Sequence, residues 1–371
     1  MKRCFLLLIM AILLDCRGKG LSDTTTPTLN APKSITQAQV DTIAAYIDPF
    51  PEQTQLAVAL VQDTVVTFIG ISKENDTLRT LENRHAAFEV GSITKVFTCA
   101  LLCQYVNQGK VNLSDPIQKY LSFPLNPQEP RAQEITLRQL ANHTSGLPRM
   151  PGNFDATVTD PENPYKNYGR EALETYLKES LQLQQSPGEQ YAYSNLGAGI
   201  LGYILSGLAS QSYPSLLQEK ILTPLQMQNS SAEKESWPVE VVTGRAPSGS
   251  PTSNWDLNAL QGAGAIFSTT EDLTKFIRAN FQADAVFDLQ KKETFRVSES
   301  MSLALGWHIR HTETGEQWHW HNGGTGGYSS CLVLNKDTRQ GVVILSNVSA
   351  FHGSSQNIGQ LCFSLMRSLT Q

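Results

Sequence analysis

Ser92, Ile93, Thr94 and Lys95 spell S-x-x-K. On a helix, positions three apart share a face, so this spacing sets the Lys95 amine against the Ser92 hydroxyl. A serine hydroxyl is a weak nucleophile until a neighbouring base takes its proton. A lysine acts as that base only when burial or nearby positive charge lowers its pKa. A helix start adds free backbone N–H groups and partial positive charge beside the serine. S-x-x-K also arises by chance at ordinary helix starts, so the stretch acquires meaning only with partners.

Tyr193, Ser194 and Asn195 form a second stretch, in a loop entering a glycine-rich helical run. A tyrosine near a lysine can relay a proton, and an asparagine amide can hold a substrate carbonyl. The plainer reading makes Tyr193 a partly buried aromatic and Asn195 the helix N-cap. The third stretch is residues 320–328, WHNGGTGGY. Its glycines let a backbone come close to another group. A substrate laid along His321, Gly323, Gly324 and Thr325 would be held by main-chain hydrogen bonds, as in strand addition. The N–H groups of Gly324 and Ser92 would then flank an oxyanion. The plainer reading is an empty glycine-rich turn with His321 on the surface. His319 and His321 are two apart on a strand pattern, but no third ligand stands at metal-site spacing and H-E-x-x-H is absent, so no metal is expected.

The elements around these stretches follow from periodicity. Residues 55–72 read as a β-hairpin, with two β-branched runs flanking Gln62, Asp63 and Thr64. Apolar residues from Val96 to Val106 recur at helical spacing and Gly109 is a stop, which sets Ser92 at the entrance of a buried helix. Short helical patterns alternate with Pro-, Asn- and Gly-rich loops between residues 111 and 255. A capping box at Ser268–Glu271 opens another helix. Residues 303–311, 317–321, 328–336 and 340–348 are four strand candidates in meander order, and 355–369 closes as an amphipathic helix. The expected fold is therefore mixed α/β: an antiparallel sheet flanked by helices and built from both chain ends, residues 37–110 and 256–371, with a mostly helical domain, 111–255, inserted between them.

Composition sets the outer bounds. Hydrophobic residues are 40% and charged residues 17% of the 371, enough apolar matter for a sizeable core. The net charge of −5 excludes the basic face of a nucleic-acid binder. Lys2 and Arg3 precede an apolar run through Leu14, too short to span a bilayer and suited to an export leader over residues 1–16. Leu13-Leu14-Asp15-Cys16 resembles a degenerate lipobox, which makes Cys16 the candidate lipid anchor. The Thr- and Pro-containing residues 17–36 read as a tether. The protein is expected to be periplasmic or membrane-anchored. Cys99, Cys103, Cys331 and Cys362 sit among core-type residues and read as buried thiols.

Taken together and in this order, the three stretches resemble the class C β-lactamase-like serine hydrolases: β-lactamases, low-molecular-weight penicillin-binding proteins, D-aminopeptidases and related esterases. The resemblance covers nearly all the mature chain, through FEVGSITKVFT, LRQLANHTSGLP, SPGEQYAYSNLGAGILG, GAGAIFSTTEDLTKF and WHNGGTGGYSS. It implies a β-lactamase/transpeptidase-like fold and a covalent acyl-enzyme formed without a cofactor. Ser92 would be the nucleophile, Lys95 the base and Tyr193 its partner. Asn195 and His321 would contact substrate, and the second oxyanion N–H would belong to Gly324. Two departures stand out. His321 replaces the lysine of the β-lactamases proper, and a partly charged histidine grips a carboxylate less firmly. The glutamine that class C β-lactamases carry just after Gly-Leu-Pro is missing from Leu147-Pro148-Arg149-Met150. Arg149 reads first as a solvated loop charge and only second as a carboxylate contact. The substrate stays open among D-amino-acid peptides, β-lactams and small esters. A penicillin- or muropeptide-binding sensor and a carboxylesterase are the alternatives.

Overall fold

A computed structural model describes residues 35–234 and 239–369. The leader, its Cys16 and most of the tether lie outside these residues.

The sheet starts with three antiparallel strands, β1 (Gln55–Gln62), β2 (Val65–Glu74) and β3 (Thr77–Leu81). Two-residue strands β4 (Phe88–Glu89) and β5 (Phe267–Ser268) pair apart from it. It continues through β6 (Phe295–Arg296), β7 (Met301–Leu303), β8 (His308–His311), β9 (Gln317–Gly324), β10 (Ser329–Asn335) and β11 (Gln340–Ser346). The strand order is β3-β2-β1-β11-β10-β9-β8-β7-β6. The first hairpin therefore meets the late meander where β1 pairs antiparallel with β11, Leu60 opposite Val342. Both chain ends build the one sheet.

Alternation along β1 divides the core in two, because successive side chains point to opposite faces. Leu56, Val58 and Leu60 join Ile43 and Ile47 of α1 (Gln37–Ile47) and Leu361 and Met366 of the last helix (Gln356–Leu369). Ala57, Ala59 and Val61 face the other way, toward Phe97 of α2 (Thr94–Asn107). Helix α2 is buried on all sides from Thr94 to Cys103, as a helix enclosed between a sheet and other helices must be.

Between α2 and β5 the regular elements are helical: α3 (Leu137–Ala141), α4 (Arg170–Thr175), α5 (Asn195–Ala209) and α6 (Tyr213–Leu217), joined by turns and long loops. Helix α7 (Thr270–Asn280), α8 (Ala285–Lys291) and the terminal helix, α9, lie against the sheet domain. Two caps differ from the sequence expectation. The N-cap of α7 is Thr269, whose hydroxyl accepts the Asp272 N–H, one residue later than the Ser268 box. The N-cap of α5 is Ser194, whose hydroxyl accepts the Gly197 N–H at 2.9 Å, so Asn195 is the first helical residue and its side chain is free for other use.

Candidate active site

Ser92 lies in a 3-10 turn, Gly91–Ile93, that leads straight into α2. Gly91 has φ +50, and a Cβ there would sit 2.6 Å from the Gly324 nitrogen. Glycine alone meets both demands, and its smallness brings the end of β9 against the serine turn. Gly323 does the same one residue earlier, since a Cβ on it would lie 1.9 Å from the Val90 carbonyl oxygen. The Thr325 N–H donates to the Tyr328 carbonyl, so the antiparallel alternation leaves Gly324 at a non-hydrogen-bonded position with its N–H turned away from β10.

Lys95 Nζ is 2.8 Å from Ser92 Oγ and donates to the Ala263 carbonyl at 2.6 Å. That carbonyl ends the 3-10 turn Asn258–Ala263, which α5 packs against. Lys95 is 1% exposed. Burial, with Arg149 adding like-charge repulsion, holds its pKa well below the usual lysine value. The neutral amine has a lone pair for the Ser92 proton while an N–H still holds Ala263.

Tyr193 reaches the pair from the loop before α5. Its ring centroid is 5.0 Å from Lys95 Nζ. Burial pushes the phenol up to about 12, while the Ser92 hydroxyl and the Arg149 charge pull the other way. Asn195 Nδ2 lies 3.5 Å from the Tyr165 hydroxyl and 3.6 Å from Met150 Sδ, and its Oδ1 is buried without a partner.

His321 is not on the surface: it is 1% exposed. Burial, with His308 and Lys95 nearby, holds its pKa well below the usual histidine value, so it is neutral, not partly charged. Its Nδ1 stands 2.7 Å from the Asn322 carbonyl oxygen, which can only accept, so Nδ1 carries the proton. Nε2 is then a lone pair, buried and unpartnered. Thr325 has its main chain engaged within the protein. Its N–H donates to the Tyr328 carbonyl and its C=O accepts the Ala350 N–H, so its main chain braces the strand end, and its hydroxyl is buried without a partner.

Several residues around the site had no individual sequence assignment. His143, from the HTSG stretch, adopts φ +58; its carbonyl accepts the Ala192 N–H at 2.8 Å and its Nδ1 accepts the Ser194 N–H at 3.2 Å. Tyr191 pairs with His308 at 3.0 Å, and His308 lies 5.2 Å from His321 between ring centroids. Glu89, three residues before Ser92, is 3% exposed and accepts the Trp255 N–H at 2.7 Å. Desolvation raises its pKa to about 7. His143, Glu89 and Tyr191 all lay within stretches that carried the resemblance; His308 had no such signal. Cys99, Cys103, Cys331 and Cys362 are buried free thiols.

A family model described as Beta-lactamase matches residues 43–360. Protein flp of Staphylococcus aureus (strain MW2) is 27% identical over 279 residues, which cover 71% of this chain and 53% of that protein. Penicillin-binding protein 4* of Bacillus subtilis (strain 168) is 26% identical over 285 residues, covering 71% of this chain and 61% of that protein. The chain thus spans about half the length of the first of these relatives. Two solved structures share the fold. The octameric penicillin-binding protein homologue from Pyrococcus abyssi aligns with a TM-score of 0.71 at 22% identity, over 90% of this chain and 76% of that one. A β-lactamase/D-alanine carboxypeptidase from Yersinia pestis, solved with citrate, aligns at 0.70 and 21% identity, over 91% and 100%.

Proposed function

The chain belongs to the beta-lactamase family, and we propose that within it the protein is a serine acyl hydrolase working through a covalent acyl-enzyme. The observation that carries this reading is the contact between Lys95 Nζ and Ser92 Oγ, made by an amine whose burial favours its neutral form.

In this reading Lys95 takes the Ser92 proton as Oγ attacks a substrate carbonyl. The new C–O bond forms, and the carbonyl oxygen becomes an oxyanion between the Ser92 and Gly324 N–H groups. As the bond to the leaving nitrogen, oxygen or sulfur breaks, the proton passes to that atom through Lys95 and Tyr193. Water then repeats the sequence on the ester and restores Ser92. Asn195 offers its amide to the acyl part of the substrate. His321 offers an acceptor, not a cation. No step calls for a cofactor.

The substrates proposed are peptides ending in D-amino acids, β-lactams or small esters. A carboxylesterase on the same fold is the second reading, favoured by the neutral His321, which cannot attract an anion as a lysine would. Export with lipidation at Cys16 accompanies either reading as a proposal from the leader sequence alone.

The test is a rate panel on nitrocefin, a D-Ala-D-Ala peptide, a D-amino-acid amide and a short-chain ester, with the parent and Ser92→Ala. At least one substrate should turn over, and Ser92→Ala should lower that rate by about 10³-fold or more. Parent-like turnover by Ser92→Ala would overturn the reading. Stoichiometric labelling of the parent with no product released beyond one equivalent would instead mark a sensor.

A further inference from the structure

The site has replaced its expected cation and kept a different one. His321 occupies the strand position where the β-lactamases of this resemblance carry lysine, and it presents a buried lone pair. His143 and His308 are also held neutral by burial. Lys95 is turned inward, bound to Ala263 and Ser92. Arg149 is different. It is exposed, and its guanidinium carbon lies 5.0 Å from the Tyr193 ring centroid. Its charge also acts on Lys95, His143, Tyr165, Tyr191 and Tyr193, in keeping with that position beside the site.

The arginine is also held in place. The Arg149 carbonyl accepts the N–H groups of Asn195 and Leu196 at 3.0 and 3.1 Å, and the Ser194 hydroxyl donates to the Pro148 carbonyl at 2.7 Å. The loop thus caps the first turn of α5, the element that carries Asn195. Among the described residues the Arg149 side chain makes no ion pair and no hydrogen bond, and its one contact of charge is the Tyr193 ring. A guanidinium stacked on an aromatic ring keeps its in-plane N–H donors open, in the geometry that takes a carboxylate two-fold. In water a lone exposed arginine would gain little from such a pair. Here the partner would be held beside the half-buried Tyr193 ring by a charge-assisted, two-fold bond.

We propose that Arg149 is the anion-binding residue of this site and selects acyl substrates bearing a carboxylate close to the scissile carbonyl. The inference rests on the acyl-transfer reading and deepens it. D-aminoacyl peptides and β-lactams carry such a carboxylate, whereas simple esters lack it, so Arg149 favours the former over the carboxylesterase reading.

Two probes isolate the charge: N-acetyl-D-alanyl thioglycolic acid and its methyl ester, which differ only at the distal carboxyl. The readout is the ratio of kcat/KM for acid over ester in the parent, Arg149→Gln and Arg149→Lys. A fluorophosphonate, which has no carboxylate, reports Ser92 acylation separately. The ratio should fall by about tenfold or more in Arg149→Gln and recover in part in Arg149→Lys. An unchanged ratio in Arg149→Gln, with Ser92 still labelled, overturns the role of Arg149 and leaves acyl transfer intact. Failure of the fluorophosphonate to label Ser92 in the folded parent overturns acyl transfer, and this inference with it.

Discussion

The imidazole of His143 packs on the ring of Tyr193 with centroids 4.4 Å apart, while its Nδ1 accepts the N–H of the residue after it. The His143 carbonyl accepts the N–H of the residue before it. One histidine therefore grips the chain on both sides of the tyrosine. Because Nδ1 accepts and burial keeps the ring neutral, the proton is on Nε2. His143 thus positions Tyr193 without touching substrate. His143→Ala should lower kcat by about tenfold to a hundredfold with KM changed little, since a displaced proton relay weakens the transition state more than the ground state. Steady-state kinetics on the best substrate checks this. An unchanged kcat would remove His143 from that role.

The pH profile should carry the mark of Lys95. Its pKa is held down, first by burial and then by Arg149. As pH rises through that lowered value the amine becomes neutral and able to accept the Ser92 proton. Acylation should therefore climb and level off well below pH 10.5, the ordinary lysine value. Removing Arg149 removes a positive charge that opposes protonation, so the pKa rises. In Arg149→Gln the climbing limb of kcat/KM for the uncharged methyl ester should move to higher pH. A limb that stays in place would show that the arginine charge does not reach the amine.

Glu89 should make stability depend on pH. Its folded pKa, about 7, is raised above its ordinary value of 4.5 by desolvation. The folded state binds the extra proton in that window, so the associated stability is present below about pH 4.5 and is lost as pH rises through about 7. Glu89→Gln keeps an acceptor for the Trp255 N–H and never ionises. It should be more stable than the parent above pH 7, by up to about 3 kcal/mol, with the difference shrinking as pH falls. Urea unfolding at pH 8 and pH 5 tests this. Equal differences at both pH values would show that the folded pKa of the carboxyl is not raised into this range.

Gly91→Ala is expected to cost activity by a route of its own. It forces an L side chain into the left-handed region and pushes the Gly324 N–H away from the serine turn. Turnover should fall more than tenfold, together with a lower Tm. Parent-like turnover would show that these two N–H groups need not be close.

The centre of the sheet was legible because β1, β2, β10 and β11 are apolar runs bounded by turns and the meander order follows from short connections. By contrast, β3 and β6 gave no such run, and 303–311, expected as one strand, splits between β7 and β8. Hydrophobic period alone placed α2 behind Ser92. What one sequence could not carry was the state of groups whose neighbours come from elsewhere in the chain. His321 looked exposed because a glycine-rich stretch reads as a turn, yet β8 and β10 enclose it. Arg149 is exposed, as its loop position suggested, but nothing in its own stretch showed that its guanidinium would lie over the Tyr193 ring. The caps themselves slipped by one residue at both Asn195 and Ser268, since Ser, Thr and Asn are nearly equal as N-caps and adjacent candidates compete.

The most direct measurement is the mass of the protein after brief exposure to a fluorophosphonate or a labelled penicillin, followed by peptide mapping. One adduct per chain, on the peptide containing Ser92, is expected, absent in Ser92→Ala and strongly slowed in Lys95→Met. Full-rate labelling in Lys95→Met, or an adduct on another residue that persists in Ser92→Ala, would contradict a serine activated by the amine beside it.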